Sequence, residues 1–144
     1  MNLFSTTPTQ RQLAFGLLIL RIALAAVFII HGGQKLFMMG PGGTAGMFRQ
    51  MGIPAAGVFG PIITFLEPLA GVAVLLGLLT RVAGLAIACD MLGAILTFHI
   101  HHGFFVPMGI EFVMMNCAAG LALAALGAGP ISIDHAIARR RAER

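Results

Sequence analysis

Four long apolar runs constrain the fold of this chain more than any other feature. A helix rises 1.5 Å per residue, so roughly 20 apolar residues match the ~30 Å hydrocarbon core of a bilayer. The runs predict transmembrane helices at about 12–38, 61–79, 81–99 and 105–127. Composition agrees: of 144 residues, 58% are hydrophobic and 10% charged, against roughly 45–50% and about 25% in a soluble domain. The expected fold class is therefore all-α, an integral membrane four-helix bundle of antiparallel up-down topology, forming one domain over 1–144. The first run follows a short polar segment at 1–11 and has no small-residue cleavage site after it, so it is expected to be a retained helix.

The connections differ in length. Helices two and three are joined by little more than Thr80, which requires an antiparallel hairpin. Helices three and four are joined by His101, His102 and Gly103. Residues 39–60 form the one long connection. It opens with Gly40, Pro41, Gly42 and Gly43, a flexible break. Met47, Phe48, Met51 and Ile53 then stand beside Arg49 and Gln50, the pattern of a short amphipathic segment at the membrane surface.

Arginine and lysine set the orientation. With both ends on one side, that side holds Arg11, Arg81, Arg139, Arg140, Arg141 and Arg144, and the other holds Lys35 and Arg49. Six against two places both termini in the cytoplasm by the positive-inside rule, in the plasma (inner) membrane of a bacterium-like cell. The polar, basic tail at 130–144 can lie on anionic lipid. The net charge of +4 reflects scarce acids rather than a basic stripe interleaved with aromatics, which excludes nucleic-acid binding. Two cysteines, Cys89 and Cys117, lie inside apolar runs and exclude a disulfide scaffold. Their similar depth leaves a redox dithiol open beside two inert thiols.

Ionisable groups are costly in a bilayer and are candidate functional residues. Arg21 and Asp90 each lie nine residues into their expected helices, at a depth of roughly 13 Å. An Arg21–Asp90 ion pair is the simplest way to hold both, and it would fix the bundle. A second group lies toward the opposite face: His31 and Lys35 on helix one, Glu67 on helix two, His99 on helix three and Glu111 on helix four. Arg21, Phe28, His31 and Lys35 share about an 80° arc of helix one, which turns them into the bundle. This cluster reads as a hydrogen-bonded polar core, a quinone or other redox-ligand site, a metal site or a transport pathway. No HxxxH or HExxH spacing supports a metal. Which of His99, His101 and His102 faces inward is open. Gly71, Gly77, Ala118, Ala119 and Ala122 are small enough for close helix approach. Pro68 disfavours regular helix at Glu67.

Several segments resemble the DoxX family of small four-helix membrane proteins. "LRIALAAVFIIHGGQKLF" is similar to its first helix, at Arg21, His31, Gly32, Gln34 and Lys35. "MGIP" looks like its segment before helix two, and "FLEPLAGVAVLLGLLTR" resembles that helix, at Glu67, Gly71, Gly77, Thr80 and Arg81. "LTFHIHHGFF", Glu111 and "GPISID", ending at Asp134, complete the likeness. Pro68 and the His101, His102 pair depart from the pattern. The resemblance implies a membrane redox component, with quinone as the candidate cofactor and a redox protein as the candidate partner. His31 and Glu67 are then the expected catalytic pair, with Lys35, His99 and Glu111 binding the cofactor. The alternatives are a non-enzymatic membrane scaffold or assembly factor and a small-molecule transporter.

Overall fold

Thr9 starts the first helix. Its hydroxyl accepts from Gln12 N at 3.2 Å, and its own backbone N–H donates to Gln12 Oε1 at 2.8 Å, a reciprocal capping box. In the computed structural model, which describes residues 7–144, helix α1 therefore runs over Gln10–Gly33. It begins two residues before the apolar run, because the cap is set by polar residues. The first six residues of the expected polar N-terminal segment lie outside the described range. Ala14, Leu17, Arg21, Leu24, Ala25, Phe28 and Gly32 form the buried stripe of α1, spaced by three, four or one as a helical face requires.

The expected break after helix one is not a break. Gln34–Met39 form a π-helical segment, and helix α2 follows at once over Gly40–Gln50 with Pro41 in its first turn. Gly40 adopts φ 69°, which lets the axis turn without an intervening loop. α2 overlaps the expected amphipathic segment at Met47, Phe48, Arg49 and Gln50, while Met51 and Ile53 lie past its end, and it packs on helix α3, Ala56–Leu76. Its buried Thr44, Ala45 and Phe48 face protein. The contact is close at Gly60, where a Cβ would lie 2.5 Å from Ala45 Cα. α3 starts five residues before the expected 61, so Pro61 falls in its second turn, where its missing N–H leaves the Gly57 carbonyl without its usual helical donor.

Helix α4 spans Thr80–Thr97 and is linked to α3 through three residues, with Gly77 and Leu79 both at positive φ. A single 3-10 turn follows at His99–His102. Helix α5, Glu111–Leu126, begins six residues later than the apolar run at 105. Pro107 interrupts that run, and residues 103–110 close on themselves through Ile110 N to Gly103 O and Glu111 N to Phe104 O. Helix α6, Ile133–Ala142, is a helix within the basic tail, capped by the Ser132 hydroxyl.

All regular structure among the described residues is helical. Three helical stretches are long and apolar enough to cross a membrane, Gln10–Gln50, Ala56–Leu76 and Thr80–Thr97, and α5 is a shorter apolar helix. α1 packs on α3, α3 on α4, α4 on α5, and α5 back on α1. Glycine sets two of these crossings. A Cβ on Gly71 would lie 2.9 Å from Ile29 N, between α3 and α1. Gly84 and Gly120 face each other between α4 and α5, where a Cβ on either would lie 2.7 Å from the other's carbonyl oxygen. Gly77, in contrast, serves the turn. Ala118, Ala119 and Ala122 are exposed or half-buried beside these seats.

The Arg21–Asp90 ion pair does not form. Arg21 donates from Nε to Val74 O at 2.8 Å, from Nη2 to Leu75 O at 2.6 Å, and from Nη1 to Ala128 O at 3.1 Å and Ile131 O at 2.6 Å. The reason is donor count: a guanidinium carries five N–H groups, and the last turn of α3 and the segment after α5 bring four carbonyl oxygens to it, of which Val74 O also accepts from Gly77 N. Asp90 lies ten residues into α4, roughly 15 Å along the axis from that end. Arg81 works the same end, donating from Nη1 to Ala124 O and Ala125 O of α5.

Candidate functional site

A cavity of about 570 Å³ lies toward the other end of the helices. α1 contributes Phe28 and His31, the π segment Lys35, and α2 Met47 and Phe48. α3 contributes Glu67, α4 Asp90 and Met91, and α5 Phe112 and Asn116. Its walls are mainly apolar, with Phe28, Phe48 and Phe112 supplying ring surface.

Within this apolar wall Lys35 Nζ donates to Glu67 Oε2 at 2.6 Å. Glu67 is 5% exposed, and the Lys35 side chain 15%. Both positions are locally irregular. Lys35 belongs to the π segment, a geometry that recurs at functional sites. Glu67 precedes Pro68, whose missing N–H leaves the Thr64 carbonyl without its usual helical donor. Pro68 also fills the space above Gly32, so α1 and α3 touch backbone to ring there. That contact brings the Lys35 and Glu67 backbones within reach of one another.

The other expected site residues separate. His31 lines the cavity from an exposed position, its ring centroid 6.2 Å from that of Phe112. His99 also lines it, and its Nδ1 meets Met108 O at 2.7 Å. Of the three histidines left open by the sequence, His99 is the one in the wall. His102 turns back to Phe98 O, and His101 is exposed. Glu111 is not in the cavity wall. Its Oε1 accepts from Val106 N at 2.6 Å and ties the 103–110 loop to the start of α5. The short helix α5 begins at Glu111, so the carboxylate sits in the first turn, where loop N–H groups are its nearest partners.

Two residues enter the site that the sequence reading placed elsewhere or passed over. Asp90, expected to pair with Arg21, lines the cavity. Its Oδ2 is fully buried without a hydrogen-bond partner, and no salt bridge reaches it among the described residues. Asn116 is 7% exposed and lines the cavity, with Nδ2 donating to Phe112 O at 2.9 Å. The signal for Asn116 was present: it is the single amide inside the fourth apolar run. Cys89 and Cys117 are both free thiols, and Cys117 Sγ donates to Ala88 O. Among the described residues no three His, Cys, Asp or Glu side chains gather closely enough to hold a metal ion.

The DoxX family model matches residues 16–100, more than half the chain and nearly every element that builds the cavity. The chain belongs to the DoxX family. Its curated relatives include a Bacillus subtilis (strain 168) protein named "Putative oxidoreductase CatD", 29% identical over 79% of this chain and 82% of that protein. A second relative, "Uncharacterized membrane protein Rv3486" of Mycobacterium tuberculosis (strain ATCC 25618 / H37Rv), is 42% identical over 53% of this chain and 46% of its own length. This chain therefore spans about half of that second relative. No solved structure matches. The DoxX match ends at residue 100, so Asn116, Glu111 and the Arg21 partners Ala128 and Ile131 lie beyond it.

Proposed function

We propose that this DoxX chain is a subunit or auxiliary of membrane redox chemistry that holds a quinone in the cavity beside Lys35 and Glu67. The observation that supports this most is the buried Lys35–Glu67 pair at 2.6 Å, set in a largely apolar cavity of about 570 Å³. That volume falls within the roughly 300–1,000 Å³ of small-molecule sites, which combine apolar walls with a few convergent polar groups. The residues fit such a ligand. Phe28, Phe48 and Phe112 offer faces for a planar ring, while Lys35, His31 and Asn116 offer N–H groups for its oxygens.

When bound, a quinone supplies reversible two-electron, two-proton chemistry. The chain's own residues supply the rest. Lys35 Nζ orients the Glu67 carboxylate and sets the local field. Glu67 holds or releases a proton at its carboxylate oxygens, and His31 at the exposed edge relays it. His99, fixed by Met108 O, borders the ligand. The apolar wall excludes water, which strengthens each of these interactions. The electrons come from or go to a redox protein partner. In this reading the domain is an antiparallel bundle of α1, α3, α4 and α5 that crosses a bacterial inner membrane with both termini in the cytoplasm.

Native mass spectrometry of the chain extracted gently from its own membranes tests the proposal. The expected result is a bound quinone-mass ligand that is lost in Glu67→Gln. An empty chain with a stoichiometric protein partner would replace the redox reading by the scaffold one.

A further inference from the structure

Lys35 and Glu67 satisfy one another, but Asp90 has no such partner. Glu67 and Lys35 share the cavity wall with it, and Lys35 Nζ is bonded to Glu67 Oε2. The remaining ionisable groups in the wall are His31, His99 and Cys89. His99 is engaged with Met108 O, His31 stands at an exposed position, and Cys89 is a free, exposed thiol. Counted formally, the two carboxylates and one ammonium leave the interior of the cavity one negative charge in excess. An uncompensated charge in apolar surroundings is costly, and the carboxyl is relieved of it either by taking up a proton or by pairing with a cation that enters.

The walls suit such a guest. Phe28, Phe48 and Phe112 line the cavity, and aromatic ring faces attract cations, most strongly when water is excluded. Met47, Met51 and Met91 line the same space with flexible, polarizable side chains that adapt to different shapes. His31, Cys89, Gly93 and Phe112 line the cavity and are themselves exposed, so its wall is not sealed.

We infer that the cavity is a binding site for lipophilic ammonium ions, with the Asp90 carboxylate as the counter-charge and the phenylalanine and methionine walls holding the apolar body. This is a second ligand class for the cavity and does not require the quinone reading. Selectivity rests on charge: an apolar guest of equal shape without the ammonium gains the wall contacts but not the ion pair.

The test uses the full chain in phosphatidylcholine nanodiscs, with binding to empty nanodiscs subtracted. Phenylhexylammonium is compared with its neutral analogue phenylhexanol. The expected result is about tenfold tighter binding of the ammonium, with the preference abolished in Asp90→Asn. Equal affinities in the wild-type chain overturn the inference without any variant. A preference that survives in Asp90→Asn overturns it too. A chain that binds no quinone leaves this comparison intact, so the two readings fail separately.

Discussion

Arg21 is 2% exposed in the middle of an apolar helix, and its side chain has a structural task. Four carbonyl oxygens from the end of α3 and the segment after α5 converge on it. Arg21→Met would take this donor from Leu75, Ala128 and Ile131 O, at ~1–3 kcal/mol each, while Val74 O keeps Gly77 N. Unfolding in detergent should show a loss of at least ~3 kcal/mol, and Arg21→Lys should recover little because an ammonium lacks the planar fork. The sequence made Arg21 conspicuous but could not show its partners, because backbone carbonyls carry no residue signature. Asp90 was the visible acid at matching depth, and the visible partner was the wrong one. Asp90→Asn should accordingly leave stability unchanged or raise it, since no hydrogen bond or salt bridge is lost among the described residues and an unpaired buried carboxyl is removed. A large loss would restore the ion-pair reading. Lys35 and Glu67 behave in the opposite way. Either Lys35→Met or Glu67→Leu should cost about 3–5 kcal/mol, while the double variant Lys35→Met/Glu67→Leu should recover most of it. A double-mutant cycle in detergent measures that coupling.

The helices themselves were largely legible. Apolar length located all four long runs, and α4 lies within a few residues of the expected 81–99. The ends were less legible, because they are set by polar caps and proline rather than by hydropathy. Thr9 and Gln12 extend α1 backwards, and Pro107 delays α5 to Glu111. The start of α4 is capped from a distance: the Asp134 carboxylate accepts from Leu79 N at 2.7 Å and Thr80 N at 2.9 Å. Asp134→Ala should cost about 0.5–2 kcal/mol, as loss of a helix cap does. No local pattern could reveal a cap 54 residues away in sequence. The π segment was equally hidden, since its composition continues the apolar run of α1. Close crossings were partly legible: Gly71 was singled out, but the Gly84–Gly120 seat was not. Gly84→Leu should separate α4 from α5 at a cost of about 1–3 kcal/mol, read as a lowered midpoint of thermal unfolding.

At the scale of the whole molecule, the two ends of the bundle have different work. One end is closed by Arg21, Arg81 and Asp134, each bound to backbone groups at helix ends. The other holds the cavity, roofed by α2 and the 103–110 loop. Gln10, Arg81, Asp134 and His135 meet at the closed end, which the proposed orientation puts in the cytoplasm. Cysteine labelling checks it in a background lacking Cys89 and Cys117. A maleimide that does not cross membranes should reach Gln10→Cys and Ala138→Cys from one side and Gly42→Cys from the other. All three labelled from one side would contradict the orientation.

The central claim is that the cavity beside Lys35 and Glu67 is where a quinone sits. Photolabelling with an azido-substituted quinone, followed by peptide mapping, tests it most directly. Adducts are expected around the cavity-lining Met47, Met51 and Met91, suppressed by excess unlabelled quinone and lost in Glu67→Gln. Adducts confined to the closed end, around Leu13, Leu17 and Val82, or labelling that excess quinone does not suppress, would contradict it.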